Sequence, residues 1–116
     1  MVNGPRLVSK DFEMTDEEAA AILLALGDKG RFDIFRKVRD LNGLTATELS
    51  AGKAASTTSH HLAKLEKAGV LQATRTGKTK RYSVDAAKLH ALAAWVSASA
   101  TDAEFSGFDQ VLLTVG

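Results

Sequence analysis

A run of six hydroxyl and imidazole side chains near the middle of the sequence is the group best suited to chemistry. It consists of Ser56, Thr57, Thr58, Ser59, His60 and His61. Nucleophilic catalysis would need a base beside the nucleophile and a third group that orients the base. Neighbouring side chains on a helix point about 100° apart, and no acid adjoins the run, so no catalytic triad assembles. We therefore expect hydrogen bonding to another molecule and no enzymatic activity.

Residues that could bind a metal are sparse. The sequence has no cysteine, which excludes thiolate metal sites, disulfides and thiol redox chemistry. Zinc needs three or four donors, so His90 is expected to be a packing or interface residue and not a ligand. Asp85 is expected to cap a helix. We expect neither a metal nor any other cofactor.

Local signals place the polar run on the second helix of a helix-turn-helix. A capping box predicts a short helix over 45–51, which Gly52 ends. A longer helix is predicted over 56–68, with Ser56 as its N-cap and Gly69 as its C-terminal stop. A short helix, a tight turn containing glycine and a longer helix are typical of this motif, whose second helix enters the major groove of DNA.

After this helix the pattern changes from a helical to an alternating period. Residues 70–76 and 79–84 are β-prone and flank Gly77-Lys78, which predicts a hairpin. Seven cations between residues 53 and 81 stand against the single acid Glu66, a local charge of +6 in a chain of net charge +1. The residues expected to contact the DNA backbone are His61, Lys64, Lys67, Arg75, Lys78, Lys80 and Arg81. Such a concentrated charge indicates a phosphate-contacting surface, although a merely solvated basic face is the alternative.

The remaining sequence predicts the helices that support this motif. The spacing of apolar residues predicts one helix over 16–26 and a second helix that is capped by Asp28 and runs to about Leu41. A further helix is predicted from Asp85 to about residue 99. Residues 105–115 are apolar and would leave an exposed apolar patch if they were unpartnered. We therefore expect a dimer-stabilising strand there, and a flexible tail or a partner-binding segment is the alternative.

Length and composition indicate one ordinary globular domain. The chain has 116 residues, of which 45% are hydrophobic and 25% charged. We expect an N-terminal arm over 1–14, the folded domain over 15–99 and a C-terminal extension over 100–116. No apolar run is long enough to span a membrane, and residues 1–10 lack a signal-peptide stretch, so no membrane partner and a cytoplasmic location are expected.

The middle of the chain, residues 25–84, resembles the ArsR/SmtB repressor family. The resemblance rests on Ser-Thr-Thr-Ser-His-His-Leu at 56–62, followed by Leu-Glu-Lys-Ala-Gly-Val-Leu at 65–71. Together these strings are close to the family's recognition-helix pattern. The order of helices on both sides also matches.

This resemblance implies a mainly helical winged helix-turn-helix of the α+β class, in the order α-α-α-α-β-β-α. It also implies a homodimer through the first and last helices. Transferred to this sequence, it assigns base reading to Ser56, Thr57, Ser59 and His60. The residues expected at the dimer interface are Ile22, Leu23, Leu89, Leu92, Trp95 and Val96. A pocket for an unknown small-molecule effector near Trp95 is the alternative use of that region.

The sequence departs from the family at several positions. Ala55 stands where members often carry glutamine, so the operator is expected to differ. Aliphatic residues are usual where this chain has Lys53 and Thr58, and a semi-buried Thr58 needs a partner for its hydroxyl. Members that sense thiophilic metals carry paired cysteines in the helix at 45–51, where this chain has none. Others hold zinc through Asp and His ligands on the last helix, which here lacks a second downstream histidine.

These features together predict a sequence-specific transcriptional regulator of double-stranded DNA. The expected mechanism is repression by occlusion, with a homodimer bound to an imperfect palindrome and without the family's usual metal sensing. The alternative is a winged-helix module that binds a protein partner and not DNA. Binding that is insensitive to salt would favour that alternative.

Overall fold

The computed structural model describes the backbone of residues 13–115 and the side chains of residues 13–103. Its elements are α1 (Asp16–Leu26), α2 (Lys29–Asp40), β1 (Leu44–Thr45), α3 (Ala46–Ser50), α4 (Ala55–Ala68), β2 (Leu71–Thr76), β3 (Thr79–Val84) and α5 (Ala86–Val115). The predicted order of helices and hairpin strands is confirmed, and β1 is added to it. The fold is mainly helical with a small antiparallel sheet, as the α+β winged helix-turn-helix class requires. Apart from its last two residues, the expected N-terminal arm lies outside the described part of the chain.

Short-range capping explains where the first helices begin. The Thr15 hydroxyl accepts a hydrogen bond from the Glu18 amide (3.1 Å), and the Glu18 carboxylate accepts one from the Thr15 amide (2.9 Å). Thr45 and Glu48 form the same reciprocal pair at the start of α3. Each box satisfies two of the amides that the first turn of a helix leaves unpaired. Asp28 caps α2 by accepting from the Arg31 amide (3.0 Å).

The sheet contains one strand that the sequence did not predict. The strand order is β1-β3-β2, and all neighbours are antiparallel. In β1, Leu44 pairs with Tyr82, and the Gly43 amide donates to the Tyr82 carbonyl (2.8 Å). A strand of two residues is too short to show an alternating pattern, so only its partner reveals it.

The core is assembled from one face of each element. Ile22, Val38, Leu49, Leu62, Leu65 and Val70 are at most 1% exposed. Thr58 joins this face of α4 and is 2% exposed, more deeply buried than expected. Because α4 contributes Thr58, Leu62 and Leu65 at spacings of four and three, its opposite face is turned to solvent.

The last helix is longer than predicted. The backbone of α5 stays helical to Val115, so the helix continues past residue 99, and the dimer-stabilising strand expected within residues 105–115 is wrong. The segment from 97 to 104 contains no proline or glycine that would stop a helix, and the single Gly107 costs only about 1 kcal/mol in its interior. Within the described residues, no helix is both long and apolar enough to cross a membrane.

Candidate nucleic-acid interface

The solvent face of α4 carries the small polar side chains of the central run. Ser56, Thr57, Ser59 and His60 are all exposed, while Thr58 between them is buried. The structure therefore brings the four predicted base-reading residues onto one accessible surface near the helix N-terminus. Short hydroxyl and imidazole groups at that place can donate to and accept from base edges in a groove wide enough for one helix.

The N-terminus of α4 has no side-chain cap. The helix begins at Ala55, so the N-cap position is occupied by Ala54, whose side chain makes no hydrogen bond. The prediction that Ser56 caps this helix is wrong, because Ser56 lies inside the first turn. The amides of that turn consequently remain available to an external acceptor, and a phosphate oxygen is the acceptor such a terminus favours.

The cations of α4 extend this surface, whereas His61 leaves it. Lys64 and Lys67 are exposed on later turns of the helix. The side chain of His61 is only 19% exposed, and its Nε2 lies 4.0 Å from the Asp28 carboxylate. Its Nδ1 is buried and has no hydrogen-bond partner in the part of the chain that the structure describes. His61 thus packs between α4 and the start of α2, away from the exposed residues.

The hairpin forms the wing with its turn at Gly77 and Lys78. Gly77 has φ of 63°, a conformation that glycine adopts without steric cost. Arg75 and Lys78 are exposed, and neither forms an ion pair with any described residue. These two side chains are the wing cations that are free to meet a phosphate.

The other two wing cations are held by the protein. Lys80 Nζ lies 3.3 Å from Glu66 Oε1 and 5.4 Å from the centroid of the Tyr82 ring. The hydrogen bond to Glu66 raises the pKa of Lys80 above its ordinary value. Arg81 Nη1 donates to the Gly43 carbonyl (2.8 Å) and so fixes β3 against β1. Sequence reasoning missed the role of Glu66, although its position as the single acid of the basic region was a signal.

The residues predicted for the dimer interface differ in accessibility. Leu23 and Val96 are 45% and 47% exposed, while Ile22 is 1% exposed and belongs to the core of the chain. Ile22 therefore offers no free surface for a partner, which corrects that assignment. Leu89 and Leu92 are half-buried against the core.

Two further predicted residues near that interface make specific contacts. The half-buried Trp95 donates its indole N–H to Asp16 Oδ1 (2.8 Å), so its polar end ties α5 to α1. Asp85 accepts from the Lys88 amide (3.2 Å) at the start of α5, as expected of a cap.

His90 is exposed on the same helix. Among the described side chains, no three potential ligands of the histidine, cysteine, aspartate or glutamate type lie close enough to share a metal ion.

Comparison with known proteins gives a consistent result. The family model for bacterial regulatory proteins of the arsR family matches residues 28–73. No curated protein sequence matches the chain significantly. A predicted DNA-binding transcriptional regulator from E. coli is 30% identical, with a TM-score of 0.55, over 71% of this chain and 90% of that one.

Two other solved structures share the fold at lower identity. An ArsR-like transcriptional regulator from Rhodococcus sp. RHA1 is 21% identical, with a TM-score of 0.69, over 82% of this chain and 92% of that one. The homodimeric winged helix-turn-helix DNA-binding domain of Mb0332 from Mycobacterium bovis is 23% identical, with a TM-score of 0.57, over 72% of this chain and 87% of that one. The chain belongs to the ArsR family of helix-turn-helix transcriptional regulators and has their winged-helix fold.

Proposed function

We propose that this protein is a transcriptional repressor that binds a palindromic operator as a homodimer. The observation that carries the proposal is the exposed polar face of α4, which lies opposite the helix's buried face and next to a wing with two cations that no described residue pairs. Occupation of the operator would exclude the transcription machinery. Such binding to a bacterial chromosome would take place in the cytoplasm.

The exposed residues of α4 have separate roles in this proposal. Ser56, Thr57, Ser59 and His60 would read base edges in the major groove, where donors and acceptors distinguish all four base pairs. Lys64 and Lys67 would contact the DNA backbone, and the uncapped amides at the helix start would hold a phosphate.

The wing would add phosphate contacts that are independent of sequence. Arg75 and Lys78 are exposed and unpaired within the described chain, so they are the residues we assign to this role. Lys80, Arg81 and His61 already contact protein groups. We therefore assign these three to positioning the wing and α4, in place of a direct phosphate contact.

A homodimer would align two copies of α4 with successive major grooves, about 34 Å apart. We propose an interface through α1 and α5, because Leu23 and Val96 leave large apolar side chains exposed on those helices. Leu89, Leu92 and Trp95 would support it from beneath. The homodimeric state described for the M. bovis domain is consistent with this arrangement.

The proposal is tested by selecting bound sequences from random duplex DNA at two salt concentrations. Enrichment of a short palindrome, with affinity falling steeply as salt increases, is the expected result. His60→Ala should cost about 1–3 kcal/mol of binding and blur the preference at one position in each half-site. His90→Ala, which removes the same group from α5, is the control and should keep the preference.

The opposite results point to a different function. If His60→Ala binds with unchanged preference, His60 does not read bases. If no sequence is enriched and binding stays weak at low salt, the winged helix is a protein-interaction module and not an operator-binding repressor.

The repressor is further proposed to respond to none of the metals that the family's usual sites bind. No cysteine is present in the sequence, and Asp85 is engaged as a helix cap. Zinc, nickel and arsenite should therefore leave the protein on its selected operator. Release of DNA at stoichiometric metal would contradict this part of the proposal.

A further inference from the structure

A groove of about 370 Å³ lies between α1 and α4 and is lined in part by Lys64 and Lys67, the two lysines proposed to contact the DNA backbone. Its floor is apolar and is formed by Ala21, Leu24 and Ala25 of α1 together with Ala68 of α4. Leu24 is 75% exposed, so a large apolar side chain stands largely open to solvent at the edge of the groove. Small-molecule sites usually measure about 300–1,000 Å³ and are lined mainly by apolar groups, which this groove matches.

Among the described residues, three cations and no acid line the same groove. They are Arg31, Lys64 and Lys67, and none of them forms an ion pair with a described residue. The guanidinium of the half-buried Arg31 is held in place by two hydrogen bonds, from Nε to the Ala25 carbonyl (2.7 Å) and from Nη2 to the Leu24 carbonyl (3.4 Å). A fixed guanidinium loses little freedom when it binds a carboxylate, which makes it a favourable anion-binding group.

We infer that this groove binds a small amphipathic anion, with an apolar body on the alanine and leucine floor and a carboxylate or sulfonate among Arg31, Lys64 and Lys67. Charge and polarity together decide the class of ligand. A neutral apolar compound would leave the three cations without an anionic partner, and a small hydrophilic anion would leave the apolar floor exposed to water.

The consequence for regulation rests on the proposed function, because Lys64 and Lys67 are also assigned to the DNA backbone. An anion in the groove and the phosphates of DNA would compete for the same two ammonium groups. Linkage then requires that each weakens the binding of the other by the same factor. The compound would therefore act as an inducer of the repressor.

The site is tested first on the protein without DNA, by calorimetric titration with octanoate and with its neutral analogue octanamide. Octanoate is expected to bind saturably below its micelle concentration and more tightly than octanamide. Arg31→Gln should weaken octanoate about tenfold, because it removes a charge-assisted contact. Arg36→Gln, which removes an exposed arginine of the same helix outside the groove, is the matched control and should bind as the wild type does.

A second variant keeps the test decisive if Arg31→Gln unfolds α1. Ala21→Phe places a bulky group on an exposed position of the groove floor and should abolish octanoate binding with little change in thermal stability. Equal affinity for octanoate and octanamide, or unchanged octanoate binding in Ala21→Phe, would overturn the proposal. Conversion of a dimer to a monomer by Ala21→Phe would also overturn it, since the groove would then be an interface between copies.

The regulatory step is tested separately on a labelled duplex. Octanoate should weaken DNA binding of the wild type but not of Ala21→Phe, which should bind DNA normally. Octanoate that binds the free protein without affecting the DNA complex would refute the competition. Octanoate binding by a protein that binds no DNA would refute the proposed function and leave the anion site standing.

Discussion

The Glu66–Lys80 pair allows the contribution of the wing to DNA binding to be measured by removing an acid. Replacing Glu66 with glutamine frees the Lys80 ammonium, which now lies 3.3 Å from the carboxylate. The freed lysine can reach a phosphate, so Glu66→Gln is expected to strengthen DNA binding. Lys80 stays charged at neutral pH in either case, because its pKa is already raised by Glu66 and an unpaired lysine titrates near 10.4.

The size of the effect follows from counterion release. Each phosphate neutralised adds about 0.9 to the slope of log affinity against log salt. Glu66→Gln should steepen this slope by up to about 0.9, and Lys78→Ala, which removes an unpaired wing cation, should flatten it by the same amount. Between about 50 and 200 mM salt, one such contact changes affinity roughly threefold. The double variant Glu66→Gln with Lys80→Met removes a neutral pair and should leave the slope near that of the wild type.

Fluorescence anisotropy with a labelled duplex over this salt range is the appropriate assay. Glu17→Gln is the matched control, because it removes an exposed acid of the same charge from α1, outside the surface proposed to bind DNA. The two side chains of the pair are 37% and 35% exposed, so breaking it should cost no more than about 1 kcal/mol of folding free energy. Glu17→Gln is expected to keep the wild-type slope. If Glu66→Gln keeps it as well, Lys80 does not gain a phosphate contact and the reasoning about the wing is refuted.

Three further predictions concern the helix ends and can be checked by chemical denaturation. Ala54→Asp should supply the missing cap of α4 and stabilise the fold by about 1 kcal/mol, while its charge weakens DNA binding; unchanged DNA affinity would count against a phosphate at this helix start. Gly30→Ala should destabilise the wild type, because the added Cβ would lie 2.8 Å from His61 Nε2 and 3.2 Å from Oδ2 of the capping Asp28; the loss should be smaller in a His61→Ala background, and equal losses in both would exclude the contact with His61. Thr15→Ala should cost about 1 kcal/mol at neutral pH. This cost should persist in acid, because the bond lost is the one that the Thr15 hydroxyl accepts from the Glu18 amide. The hydrogen bond from the Thr15 amide lowers the pKa of Glu18, so the cost of Glu18→Ala should instead be present above the ordinary glutamate pKa of about 4.3 and be lost as pH falls through the lowered value; a Glu18→Ala cost unchanged in acid would show that its carboxylate charge plays no part.

Much of the architecture could be predicted because its signals act over a few residues. The capping box of α3, the αL stop at Gly69 and the hairpin turn at Gly77 are each confirmed. In these cases the side chain and the backbone group that it serves are three or four residues apart at most, or the required φ belongs to a single glycine. Even this local reasoning failed at Ser56. The N-cap position lies two residues earlier than predicted, so it is occupied by Ala54 and not by Ser56.

The sequence by itself determined that α4 would bury one face and present Ser56, Thr57, Ser59 and His60 on the other, because a helical period fixes which residues share a side. It could not determine which charges would remain free. Lys80 meets Glu66 across 14 residues, Arg81 meets the Gly43 carbonyl across 38, and Arg31 binds the end of α1. Such contacts depend on how separate elements pack, and no local pattern encodes the distance between them. Only the tertiary structure therefore decided that Arg75 and Lys78 are the available wing cations and that Arg31 faces a groove.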